Sequence, residues 1–120
     1  METPLVSEDR PAKTGRWSEA ALRVLRERYL SRQKGEVVET PEEMCWRVAR
    51  AIAAAEERFG RSPAALHEVA AAFYDVIVEG SFLPNSPTLM NAGKGNQLQY
   101  SACYVLPVGD SMQEIFDSVK

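Results

Sequence analysis

Histidine occurs once in this chain and cysteine twice, so no zinc-type arrangement of closely spaced Cys and His ligands can be assembled, and no metal site is expected. Two cysteines are also too few for the disulfide framework of a small secreted domain, and Cys45 and Cys103 have to be read one at a time. No apolar run approaches the roughly 18 residues of a membrane span, and the opening METPLVSEDRPAKTGR is too polar for a secretory signal. The expected location is the cytoplasm. An excess of positive charge is missing as well: 14 Lys and Arg stand against 17 Asp and Glu, with a formal charge of -3, so neither nucleic acid nor an anionic membrane is an expected partner. Walker-type and dinucleotide-binding glycine fingerprints are absent, as are internal repeats.

What remains is enough for one compact core in 120 residues. Residues 1–16 mix Pro4, Pro11, Gly15 and charges without periodicity and read as a flexible tail. From Trp17 the pattern turns helical. Ser18 can cap, Trp17 and Leu22 stand at hydrophobic-staple positions, and Leu22, Leu25 and Tyr29 recur at helical spacing toward an end near Ser31, before a loop around Gly35. A second helix is announced by T-P-E-E, with Thr40 as cap, Pro41 in the first turn and Glu43 able to close a capping box. Its expected apolar stripe is Cys45, Val48, Ile52, Ala55 and Phe59, ending at Gly60. Ser62 and Pro63 start a third helix at once, with Leu66, Val69, Phe73, Val76 and Ile77 as its stripe. The second and third helices are thus expected to form an antiparallel hairpin.

Beyond Gly80 the helical pattern stops. Pro84, Pro87, Asn91, Gly93 and Gly95 punctuate a loop of nearly twenty residues, a length that usually marks a functional or disordered segment. Tyr100 to Leu106 alternates as a short strand, with Tyr100, Ala102, Tyr104 and Leu106 on one face and Ser101, Cys103 and Val105 on the other. A last helix is expected from a cap at Asp110, burying Ile115, Phe116 and Val119. The fold class is therefore mainly α, with about four helices and one short β-strand.

Cys103 has two readings: a small hydrophobe in a core position, or a redox thiol, since it lies on the less apolar face of its strand and close to a loop able to hold a ligand. In that loop Ser86 and Thr88 offer hydroxyls, while Asn91 and Gly93 tolerate positive φ, a composition compatible with an anion cradle and also with plain turns. Cys45 lies on the apolar stripe of its helix and reads as a buried structural thiol. His67 reads as a solvated helix residue, and Trp17 and Trp46 as packing residues. RVLRERYL and AAEERFG read as solvated faces with local ion pairs.

The string FLPNSPTLMNAG, followed by QLQYSACYVLPVGDSMQEIFDSVK, closely resembles the active-site entry of ribonucleotide reductase large subunits, nearest to the adenosylcobalamin-dependent class. WSEAALRVLRERYL and VVETPEEMCWRVARAIAAAE resemble that family's N-terminal helical region, so the likeness runs from about Trp17 to Lys120. The resemblance implies thiyl-radical chemistry. The radical removes the 3'-hydrogen of a ribonucleotide, the 2'-hydroxyl leaves as water, and two further thiols supply two electrons as they close to a disulfide. Carried over, Cys103 is one of that reducing pair, Ser86 holds the substrate phosphate, and Ala102 with Cys103 contacts the substrate.

The likeness also implies a division into a tail (1–16), a helical N-terminal domain (17–80) and a segment (81–120) that begins a ten-stranded α/β barrel. The radical-bearing cysteine and the second reducing thiol are not in these residues. The chain is accordingly expected to be the N-terminal part of a reductase, inactive alone, partnered by ribonucleotide and by the remaining polypeptide or a self-associated dimer. Adenosylcobalamin is implied for the full-length enzyme, with none bound to this chain. Two alternatives stay open: a stand-alone truncated homologue acting as a binding or assembly module for a complete reductase, and the same chemistry with an iron-dependent radical generator.

Overall fold

The structure is a computed structural model, and it describes residues 9–120. Five α-helices form in the order α1 (Glu19–Arg28), α2 (Pro41–Ala53), α3 (Pro63–Val78), α4 (Ser86–Asn91) and α5 (Met112–Val119). Between α1 and α2 two very short strands, β1 (Arg32–Gln33) and β2 (Glu36–Val37), pair antiparallel. The mainly helical reading holds. The local chemistry explains why the helices start where they do, because each opens on a side-chain cap: Ser18, Thr40, Ser62, Asn85 and Ser111 accept from a backbone N–H in the first turn. At Thr40 the cap is the full reciprocal box with Glu43, as T-P-E-E predicts.

Several local expectations need correction. The region around Gly35 is a hairpin, since Lys34 and Gly35 both take positive φ, as a two-residue primed turn requires. The long loop after Gly80 contains α4, because Asn85 caps a turn in which Pro87 needs no intrahelical partner for its missing N–H. No strand forms at residues 100–106. Among the described residues no other strand pairs with that segment, and Tyr104, Val105 and Leu106 are exposed. The last helix is capped by Ser111, not Asp110, and Ile115, Phe116 and Val119 face solvent.

The core lies between α2 and α3, joined by Leu30, Leu89 and Ala92. From α2 it takes Met44, Cys45, Trp46, Val48, Ala49 and Ala53. Ile52, Ala55 and Phe59 of the expected stripe are exposed: Ile52 lines a groove on the outer side of α2, and Ala55 and Phe59 fall in the 3-10 turn Ala54–Phe59 that follows the helix. From α3 it takes Ala70, Tyr74, Ile77 and Val78; Phe73 and Val76 sit at the edge of a groove instead. Helix α3 has two apolar faces, and the one carrying small Ala70 is the one that approaches α2 closely. Trp46 is packed edge-on against Tyr74 and His67, with ring centroids 5.9 Å and 5.6 Å away.

The expected flexible tail lies outside the described residues for its first eight positions. Residues 9–16 run against α3: Arg10 donates to the Tyr74 hydroxyl at 3.0 Å, that hydroxyl donates to the carbonyl of Lys13, and Lys13 pairs with Glu79. This strap satisfies the polar end of a tyrosine whose ring is fully buried.

One buried charge ties the elements together. Arg47, in the middle of α2, meets both carboxylate oxygens of Glu39, Nε to Oε2 at 2.9 Å and Nη2 to Oε1 at 3.0 Å. It also donates to the carbonyls of Leu89 at 3.1 Å and Ala92 at 2.6 Å. Those two oxygens are among the orphan acceptors at the end of α4, so the guanidinium serves as its C-terminal cap. Gly93, at φ +77°, presses so close that a Cβ there would lie 2.7 Å from Arg47 Cγ. Replacing Glu39 by Ala would strand the guanidinium, and the expected loss is about 3–5 kcal/mol in denaturant unfolding. A loss below about 1 kcal/mol would show that water or another carboxylate takes its place.

Candidate functional site

Helix α4 and the chain that returns to it form the site. The first turn of α4 is held from inside by Asn85, whose Oδ1 accepts from the Thr88 N–H at 3.1 Å. Its far end is held by Arg47. The Thr88 hydroxyl lies 2.6 Å from Asn85 Oδ1 and 2.8 Å from the carbonyl of Tyr100, and its single hydrogen is shared between them. Asn91 donates its amide to the carbonyl of Gln99 at 2.8 Å. Residues 99 and 100 are thereby stitched along α4. Cys103 follows three residues on, within about 11 Å of Tyr100 even if the chain is fully extended.

Of the residues singled out from the sequence, Ser86 is the first residue of α4 and is exposed. Its Oγ lies 2.8 Å from the Tyr29 hydroxyl. Ala102 and Cys103 are also exposed, and Cys103 is a free thiol. The structure ties Thr88, two residues after Ser86, to the carbonyl of Tyr100, two residues before Ala102. The other members of the supposed anion cradle have different work. The Thr88 N–H is taken by the Asn85 cap, Asn91 is spent on Gln99, and the positive φ of Gly93 serves its contact with Arg47.

Three residues that sequence reading passed over shape this site: Tyr29, Arg47 and Lys94. Tyr29 was absorbed into an amphipathic stripe. Arg47 stands three positions after Met44 on the inward side of α2, and that charge inside an apolar stretch was the available signal. Lys94 reaches back to the carbonyl of Tyr29 at 3.3 Å, and burial, reinforced by the Arg47 charge, holds its ammonium below the usual lysine range.

The two thiols occupy opposite environments. Cys45 is completely buried, and desolvation, with Glu42 and Glu39 adding to it, pushes its pKa up to about 12. As expected from its stripe position, it is a structural thiol. Beside the site runs a groove of about 430 Å³, lined by Val48, Ile52, Phe73, Val76 and Phe82 on its apolar walls and by Asn85 and Thr88 at one edge. Among the described residues no group of three or more His, Cys, Asp or Glu is gathered as a metal would need, and no helix is long and apolar enough to cross a membrane.

Residues 16–97 match the family described as the ribonucleotide reductase all-alpha domain. The vitamin B12-dependent ribonucleoside-diphosphate reductase of Mycobacterium tuberculosis is 44% identical over 98 residues, covering 81% of this chain and 14% of that protein. The enzyme of the same name from Thermoplasma acidophilum is 59% identical over 49 residues, 40% of this chain and 6% of the relative. The ribonucleoside-diphosphate reductase large subunit of Danio rerio is 34% identical over 102 residues, 82% of this chain and 11% of that subunit. No solved structure gives a significant match. The chain thus spans about a seventh of the length of the Mycobacterium relative.

The contrast between the thiols can be measured. In the native chain at pH 8 a thiol reagent should modify Cys103 rapidly and Cys45 only after unfolding; equal rates would contradict the burial of Cys45. An acid whose pKa is higher folded than unfolded stabilises the fold in its protonated form. That contribution is complete below the ordinary thiol value of 9.0 and is lost as pH rises toward about 12. Unfolding free energy should therefore fall across that window, and Cys45→Ala should flatten the slope.

Proposed function

The chain belongs to the ribonucleotide reductase large-subunit family through its all-alpha domain, and from this premise we propose that it supplies one wall of a reductase active site: Ser86 for the substrate phosphate, Ala102 and Cys103 for the substrate's reacting end, and Cys103 as one of two thiols that reduce it. The observation that supports this reading is the stitching of Gln99 and Tyr100 onto α4, which ties the chain leading to the exposed Cys103 to the helix that begins at the exposed Ser86. In the proposed reaction a thiyl radical abstracts the 3'-hydrogen, two thiols give up their two hydrogens as their sulfurs join, one leaving with the 2'-hydroxyl as water and one going to C2', and the 3'-hydrogen then returns to C3', restoring the thiyl radical. Cys103 contributes one sulfur. Cys45 cannot be the other, being sealed in the core and protonated at neutral pH.

A second accessible thiol and the radical-bearing one must therefore come from another polypeptide segment, so the 120-residue chain alone should not turn over nucleotide. On this reading residues 81–120 lead from the helical domain into the catalytic barrel, and the complete enzyme works in the cytoplasm. The names of the Mycobacterium and Thermoplasma relatives support adenosylcobalamin as the radical source. The described residues of this chain do not fit that cofactor, since the apolar groove of about 430 Å³ is too small for a corrin with its adenosyl group. The cofactor's site would belong to the rest of the enzyme.

A second reading, an assembly module for a complete reductase, is favoured by the apolar face that α5 leaves in solvent. The two separate on one experiment: combine this chain with a reductase polypeptide lacking the corresponding N-terminal segment and measure deoxynucleotide formation with and without adenosylcobalamin. The expected result is cofactor-dependent activity that Cys103→Ser lowers by at least about a thousand-fold. Activity surviving that substitution would remove Cys103 from the reducing pair and leave the module reading.

A further inference from the structure

The contact between Tyr29 and Ser86 joins residues 57 positions apart in sequence. Ser86 is exposed at the first turn of α4, a helix already fixed at one end by Asn85 and at the other by Arg47. Tyr29 is fixed just as firmly. It closes α1 with its N–H on the carbonyl of Leu25 at 2.9 Å, its ring packs against the core, and its neighbour Leu30 is buried in that core. Its own carbonyl accepts from Lys94. Two separately anchored elements therefore deliver two hydroxyls to a separation of 2.8 Å.

We propose that Tyr29 is a positioning residue for Ser86, holding the serine hydroxyl so that its hydrogen is presented to the phosphate of the nucleotide; this rests on the reading of Ser86 as a phosphate-binding residue. The chemistry follows from the two groups. Each hydroxyl has one hydrogen and can accept as well as donate. A phenol O–H is more acidic than an aliphatic alcohol O–H, so Tyr29 is the better donor of the pair. When it donates to Ser86 Oγ, the serine hydrogen is left free to point outward. Serine then becomes the better donor, because a hydroxyl that accepts a hydrogen bond is polarised toward giving one. A phosphate oxygen needs a donor, so an arriving nucleotide selects this direction of the chain, Tyr29 to Ser86 to phosphate.

The test uses the reductase assembled as above and asks for KM and kcat separately. Tyr29→Phe keeps the ring and its packing and removes only the hydroxyl. It is expected to raise KM for the nucleotide, and the inhibition constant of inorganic pyrophosphate, by roughly three- to ten-fold, with kcat within about two-fold and thermal stability unchanged. Ser86→Ala should raise both constants at least as much. In the Ser86→Ala background Tyr29→Phe should add almost nothing, since its effect passes through the missing hydroxyl. If Ser86→Ala leaves both constants unchanged, the phosphate-binding reading itself falls. If Ser86→Ala raises them but Tyr29→Phe does not, or if Tyr29→Phe costs as much without Ser86 as with it, the positioning role is overturned while the reading of Ser86 stands. A drop in melting temperature with no change in KM would make the contact a simple stitch between α1 and α4.

Discussion

A guanidinium sealed under the end of a six-residue helix has to be fully bonded, because an unpaired charge there would cost more than α4 could contribute. Arg47 meets that demand with four hydrogen bonds, two to Glu39 and two to the carbonyls of Leu89 and Ala92. Helix α4 is too short to persist on its own propensity, so it exists where Arg47 and Asn85 hold its two ends. Everything proposed about the site, from the exposed Ser86 hydroxyl to the returning segment at Tyr100, presupposes a rigid α4. The same ion pair reaches the hairpin side as well, since Glu39 Oε1 also accepts from the Ser31 N–H at 3.1 Å.

The division of labour between the cysteines follows from burial alone. Cys45 is a space-filling group in a core where ionisation is expensive, and it touches no part of the site chemistry. Cys103 lies in water on an extended segment tethered through its backbone neighbours and not through its own side chain. A thiol held this way has a defined neighbourhood and retains access to a partner sulfur, which a reducing pair requires.

The molecule's apolar surface is distributed unevenly. Val105 is 98% exposed, and Met112, Phe116 and Val119 of α5 are exposed on one helical face. The groove beside α4 adds Phe73, Val76 and Phe82 to that surface. Residues 100–120 have the alternation and the amphipathicity of elements that pack on something, while the core formed by α2 and α3 stops at Ala92. A strand needs a partner to satisfy its backbone groups, and the segment at 100–106 has none among the described residues.

Much of the helical frame was readable from residues that act on their immediate neighbours. The caps at Ser18, Thr40 and Ser62, the Thr40–Glu43 box and the mainly α class are contacts within a few positions along the chain, so they are encoded where they occur. The motif residues Ser86, Ala102 and Cys103 could be picked out by their pattern, though their roles could not be derived from it. The tertiary structure alone decided which face of α3 meets α2, that Arg47 holds the far end of S-P-T-L-M-N, and that Tyr29, Arg47 and Lys94 converge behind it. Those outcomes depend on groups 42 to 65 residues apart. Such contacts have no local signature, because an arginine or a tyrosine has the same propensity in solvent as in a buried clamp, and only the folded neighbourhood distinguishes the two.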